Sequence, residues 1–142
     1  MRLHDSHMIP ETILVISGLS YLFPLYVAYK KNNKYALSTY VFLTFTTIGF
    51  HGTRYEWFFI LDCFAICNFI FQTLHLSLSL QSKHLMIQII YIFSIVYSLT
   101  SYFIGFQYSI LSLHPDWNTQ MFYHSLMHFF TSYSAYIMMN NS

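Results

Sequence analysis

Charge is what this sequence has least of. Only 8% of its 142 residues are Asp, Glu, Lys or Arg, against roughly 25% in an ordinary soluble domain. Six basic residues stand against five acidic ones, a formal net charge of +1, so there is no basic face for nucleic acid and no acidic tail. Cysteine is scarce as well. Cys63 and Cys67 are the only two, one helical turn apart in an apolar run. That excludes a disulfide framework of the secreted kind and reads as a pair of buried core residues. Internal repeats, linkers and low-complexity tracts are missing too, so residues 1–142 read as one domain.

What is present is apolar: 56% of the residues are hydrophobic and 21% aromatic. A chain this short cannot hide so much apolar surface in one core, and the expected solvent is a lipid bilayer. Thirteen Tyr and fifteen Phe suit the helix ends and packing surfaces of a membrane protein. Dividing the chain at its polar clusters leaves five segments, at approximately 9–29, 35–51, 57–80, 85–107 and 120–140. Each is long enough to cross a hydrocarbon layer of about 30 Å. The expected fold is therefore an all-α integral membrane protein, a bundle of about five transmembrane helices.

The first apolar run is of spanning length, longer than the h-region of a signal peptide, and no small-residue cleavage pattern follows it. It is expected to remain as the first helix. Lys30, Lys31, Lys34 and Lys83 fall on one side of this arrangement, Arg2 and Arg54 on the other. The positive-inside rule then places the lysine loops and the C-terminus in the cytosol and the N-terminus in a lumen or outside, in an endomembrane or the plasma membrane.

Near the C-terminus, Tyr123-His124-Ser125-Leu126-Met127-His128 carries two histidines four positions apart. On a helix they share one face and can share one metal ion. Chance produces such a pair in a chain with eight histidines, so the motif needs a third ligand. His51 closes the second segment at the outer side. Asp62 lies about two turns into the third from that side, and His124 and His128 lie one and two turns into the fifth. At about 1.5 Å rise per residue, Asp62 and His128 are each roughly 10 Å from the outer ends of their helices. Taken singly, His51 could be an interfacial histidine and Asp62 a buried acid hydrogen-bonded to Tyr or Ser hydroxyls. Their common depth is what joins them.

Three neutral imidazoles on zinc leave one position open, as in a catalytic rather than a structural site. Zinc brings the pKa of its water to about 7. Asp62 could accept that proton and deliver it to a leaving group. Thr47, one turn before His51 on the same face, could donate to an oxyanion, and Thr46 could do so on a rotated helix.

Other polar residues have plainer readings. His75 reads as packed or hydrogen-bonded, and His84 as a loop residue. His4 and His7, which flank Asp5, offer only a weak second metal site. His114-Pro115-Asp116-Trp117 reads as a lid or interfacial anchor, with Trp57 and Trp117 as belt residues. Ser125, Ser132, Tyr123, Tyr133 and Tyr136 read as helix-packing groups.

The run Thr47-Ile48-Gly49-Phe50-His51-Gly52-Thr53-Arg54-Tyr55-Glu56-Trp57-Phe58-Phe59-Ile60-Leu61-Asp62 resembles the Ser-x-x-Phe-His, Tyr-Glu and Leu-Asp pattern of alkaline ceramidases, including the separation of His from Asp. His124-Ser125-Leu126-Met127-His128 resembles the C-terminal His-x-x-x-His of the same group, the CREST superfamily of membrane hydrolases. Adiponectin-receptor-like and myomaker-like proteins also belong to that superfamily, and the segment 118–135 looks nearer the myomaker-like branch.

The resemblance implies a zinc ion held by His51, His124 and His128, with Asp62 positioning or deprotonating the water. It also implies hydrolysis of an amide or ester of a membrane lipid. The family's serine falls on Thr47, which keeps the hydroxyl and adds a methyl in a tight site. These families usually have seven helices and this chain has room for five, so it resembles a shortened version. The shortening removes part of the wall of a lipid pocket, which a homo-oligomer could supply. Two alternatives stay open: a non-catalytic CREST-fold protein, receptor-like or membrane-remodelling, with a structural zinc; and a small b-type haem protein, which would give Asp62 no role.

Overall fold

The computed structural model describes residues 11–80 and 85–142, and among these it contains helices and turns but no strand. Helices α1 (Thr12–Gly18) and α2 (Leu22–Lys30) are joined end to end by a 3-10 turn, Leu19–Tyr21. Pro24 accounts for the joint. It has no N–H to give to the carbonyl four residues back, so the ladder tightens just ahead of it. Then follow α3 (Lys34–Thr53), α4 (Glu56–Ser79) and α5 (Leu85–Tyr108), a second 3-10 turn at Leu111–Leu113, and α6 (Trp117–Asn141).

The chain's turn chemistry sets the helix ends. Asn33 accepts a hydrogen bond from the Ala36 amide at 3.0 Å and starts α3, and Asp116 accepts one from the Thr119 amide at 2.8 Å and starts α6, both as N-caps. Arg54 closes α3 in the left-handed region, with φ 60°. Its amide donates to the Phe50 carbonyl at 2.7 Å.

Three of the five rods are long and apolar enough to cross a membrane: Thr12–Lys30, α4 and α5. Of the five spans expected from the sequence, α3 and α6 do not reach that apolarity. The reason is visible in their surroundings. Helix α3 packs against α1, α2 and α4, and α6 packs against α1, α2, α4 and α5. Their polar side chains, among them Thr39, Thr46, Thr47, His51, Ser125, His128 and Ser134, are buried against neighbouring helices. Interior helices can carry such groups where an outer helix in lipid could not.

Small residues let the helices approach. Ala28, Ala36, Ala65 and Ala135 are wholly buried, and Tyr40, Leu43 and Phe69 fill the space between them in one cluster. At Gly49 a Cβ would collide with the Phe58 ring, so this glycine sets how closely α3 crosses α4. Outward faces are conversely apolar: Ile60, Phe64, Phe71 and Leu78 on α4, and Met86, Ile92, Phe103 and Phe106 on α5, are exposed. So large an apolar surface is consistent with a membrane protein.

Cys63 and Cys67 are exposed, not buried as their apolar setting suggested. The inward stripe of α4 runs through Asp62, Ala65, Phe69, Gln72 and Leu76, and a period of 3.6 turns both cysteines away from it. His75 is exposed for the same reason, as are Tyr133 and Tyr136 on α6. The expectations for Arg2, His4, Asp5, His7, Lys83 and His84 lie outside the described residues.

The two ends of the bundle differ chemically. At one end Lys31 Nζ donates to the carbonyls of Asn140 and Ser142, each at 3.0 Å, meeting the negative end of α6. At the other end lie Glu11, His51 and Arg54.

Candidate metal centre

His51 sits in the last turn of α3, while His124 and His128 sit one turn apart on α6. Packing of both helices against α1 brings the three together. One ring nitrogen from each lies within 4.8 Å of the others. Ring centroids are 5.0 Å apart for His51 and His124, 5.4 Å for His51 and His128, and 5.0 Å for His124 and His128. His51 and His128 are buried, and His124 is partly so.

Hydrogen bonds decide which nitrogen of two rings faces inward. Glu11 Oε2 lies 2.6 Å from His51 Nδ1. An ionised carboxylate only accepts, so Nδ1 carries the proton and Nε2 keeps its lone pair. Ser17 Oγ lies 2.8 Å from His128 Nδ1 and also donates to the Leu14 carbonyl at 3.1 Å. A hydroxyl has one proton, so here too Nδ1–H is the donor and Nε2 is the free base. This is the arrangement seen around metal-bound histidines, where the second nitrogen is held by a carboxylate or other acceptor. The donor set therefore fits a metal ion.

A cavity of about 90 Å³ runs between the helices, and its lining includes the polar residues Thr47, Asp62, Tyr102, His124 and His128 and the apolar residues Ile66, Phe69, Ile70, Ile95 and Leu99. Asp62 is anchored within it. Thr46 Oγ1 donates to Asp62 Oδ1 at 2.9 Å and Thr47 Oγ1 donates to the same oxygen at 2.8 Å. The Thr47 proton is thus directed at the carboxylate, while the single Thr46 proton is shared, without any rotation of α3, between Asp62 and the Leu43 carbonyl at 3.1 Å. Thr47 has no second proton for an oxyanion. Among the described residues Asp62 Oδ2 receives no hydrogen bond.

The His114-Pro115-Asp116-Trp117 segment forms a turn in which the Asp116 amide donates to His114 Nδ1 at 3.0 Å, and Trp117 is exposed. Ser132 bonds the Phe129 carbonyl at 3.2 Å, a helix-packing role.

Four contributors were not singled out from sequence. Glu11, not Asp62 alone, is a buried carboxylate at this site, and it falls inside the first apolar run. A charged residue within such a run was the available signal. Arg54 lies 2.7 Å from Glu11 Oε1, whereas in the sequence it marks only the orientation of the bundle. Ser17 and Tyr102 carried no signal, since neither a lone serine nor a lone tyrosine stands out in this composition.

Fold and site together define a class: an all-helical chain with three apolar helices long enough for a membrane, enclosing three histidines that can hold a metal ion. No protein-family model matches the chain, and no curated protein or solved structure matches it.

Proposed function

We propose that this chain is an integral membrane hydrolase of the CREST type, with a zinc ion at His51, His124 and His128, acting on an amide or ester of a membrane lipid. One observation carries the reading: three histidine ring nitrogens converge within 4.8 Å beside a cavity that Asp62 also lines. Three neutral imidazoles suit zinc and leave a position open. When bound, zinc supplies a Lewis acid that polarises a carbonyl and brings the pKa of water to about 7.

The chain's own residues have separate tasks. Glu11 and Ser17 hold His51 and His128 as Nδ1–H tautomers, with Nε2 presented as ligand. Thr46 and Thr47 anchor Asp62 through Oδ1, so that Oδ2 is left to take a proton from water and pass it to the leaving nitrogen or oxygen. The apolar residues lining the cavity keep bulk water from the scissile bond, and a volume of about 90 Å³ takes the bond and its nearest methylenes rather than a whole acyl chain. Apolar outer faces support a surrounding bilayer. Lys30, Lys31 and Lys34, at the end away from Arg54, support a cytosolic setting for that end and a lumenal or extracellular setting for the site.

Metal analysis of the detergent-purified chain tests the first half. One zinc per chain is expected, absent from His124→Ala; a wild-type chain without stoichiometric metal defeats the reading. A second reading keeps the fold and the metal without turnover, as a receptor-like or membrane-remodelling protein. It is favoured by the engagement of both threonine hydroxyls, Thr47 with Asp62 and Thr46 with Asp62 and the Leu43 carbonyl, which leaves no side chain assigned to an oxyanion. Hydrolysis of a fluorescent lipid amide or ester in vesicles separates the two. Asp62→Asn should reduce the rate by about 10²-fold or more. If the variant hydrolyses as fast as wild type, this mechanism is wrong, and if a metal-loaded wild type turns nothing over, the second reading stands.

A further inference from the structure

The residue most tightly engaged with the histidine cluster is one that precedes every helix among the described residues. Glu11 grips His51 at two points: its amide donates to the His51 carbonyl at 2.9 Å, and its Oε2 accepts from His51 Nδ1 at 2.6 Å. Its other oxygen, Oε1, meets Arg54 Nη1 at 2.7 Å. The carboxylate is 1% exposed and the Arg54 side chain 32% exposed. Glu11 therefore stands between a ring that faces the cluster and a cation that reaches water.

That placement gives the two charges opposite effects on a metal. A carboxylate hydrogen-bonded to the far nitrogen of an imidazole fixes the ring and makes its free nitrogen a stronger base. It also places a negative charge close to a site whose three ligands are neutral. Arg54 draws on the same carboxylate and sets a positive charge nearby, which offsets part of that gain. With no metal present, Arg54 keeps Glu11 from being an uncompensated buried charge, a costly state.

We infer that Glu11 is a positioning residue that sets metal affinity through His51, and that Arg54 holds that affinity below what Glu11 alone would give. The inference rests on the metal reading of the site. It concerns binding rather than turnover, so it holds for the catalytic and the non-catalytic protein alike.

The test is a competition titration of the full-length purified chain with zinc against a chromophoric chelator, repeated with cobalt for its visible spectrum. Glu11→Gln keeps the size of the side chain and removes its charge. It should bind one metal with affinity lowered by about 10- to 100-fold and with an altered cobalt spectrum. Arg54→Gln should bind more tightly than wild type, because the freed carboxylate faces only His51, and an affinity equal to wild type would overturn the part of the inference that concerns Arg54. Glu11→Asp, with its charge retained one methylene further back, should fall between wild type and Glu11→Gln, and it serves as the readout should Glu11→Gln not fold. A purely structural Glu11–Arg54 pair would weaken binding alike in Glu11→Gln and Arg54→Gln, and that result overturns the inference. So does an affinity unchanged in both Glu11 variants while wild type binds. A wild-type chain that binds no metal is a different failure: it removes the metal reading first and this inference with it.

Discussion

The methyl group of Thr47 occupies space that Gly18 leaves open. A Cβ on Gly18 would lie 3.0 Å from Thr47 Cγ2, closer than carbon atoms pack without adjustment. Thr47 in turn donates to Asp62 at 2.8 Å. The last residue of α1 thereby sets the room available to a residue that anchors the carboxylate of the cavity. Gly18→Ala should destabilise the protein by about 1–3 kcal/mol, the usual cost of overpacking. Thr47→Ser, which removes the methyl and keeps the hydroxyl, should restore most of that loss in the Gly18→Ala background. Thermal unfolding of the four proteins checks this. Independent, additive effects of the two substitutions would contradict the contact.

Ser17 fixes the tautomer of His128, which predicts a loss at the metal rather than in the fold alone. Ser17→Ala removes the acceptor of His128 Nδ1–H, and the ring can then turn or change tautomer. Leaving that donor unsatisfied in a buried site costs about 1–3 kcal/mol, and metal affinity should fall by about tenfold or more, in the range typical of lost partners of metal ligands. Ser17→Thr keeps the hydroxyl and should retain most of the affinity. A titration in which Ser17→Ala binds as tightly as wild type would contradict the assignment.

Asp116 makes the start of α6 sensitive to acid. The Thr119 backbone amide, with help from the Thr119 side chain and His114, holds this carboxyl below the ordinary Asp value. A group whose folded pKa is depressed contributes its stabilisation above the unfolded pKa and loses it as pH falls through the folded one. The first turn of α6 should therefore be firmly capped at neutral pH and loosen only below the ordinary Asp range. Amide exchange at Thr119, corrected for intrinsic pH dependence, should report that loosening. Asp116→Asn, which still caps but does not titrate, should abolish the pH dependence. Persistence of the same acid response in that variant would assign it elsewhere.

How far the sequence could be read depended on what kind of signal each residue left. Apolar runs and their polar separators located the helices because helix length in an apolar medium is fixed by rise per residue. Common depth marks out His51, His124 and His128, which the fold brings together, because position along a helix converts directly to height. Direction around a helix was less legible. Cys63, Cys67 and His75 face outward, and only the packing of α4 against its neighbours decides which stripe turns in. Partners from elsewhere in the chain were least legible of all. Ser17 meets a histidine 111 positions away, and Glu11 meets one 40 positions away. No periodicity encodes such a pairing.

Asp62 is the point where fold and chemistry are most closely bound together. Two threonines, adjacent in sequence, meet a single carboxylate oxygen, at 2.9 Å from Thr46 and 2.8 Å from Thr47, with Thr46 sharing its proton with the Leu43 carbonyl at 3.1 Å. Thr46→Val and Thr47→Val each remove a hydroxyl at nearly constant volume. Either variant leaves Oδ1 with one donor, and the double variant leaves it with none. A hydrogen bond to a charged group contributes about 1.5–3 kcal/mol, and a carboxylate stripped of both donors in a buried site is penalised beyond that sum. The double variant should therefore be less stable than the two single effects added together, by about 0.5–3 kcal/mol of coupling. The coupling should shrink when Asp62→Asn is introduced, since the amide oxygen still accepts but carries no charge to desolvate. Chemical denaturation of the set measures it directly. Additivity within error in the Asp62 background would mean that the two hydroxyls do not share one acceptor.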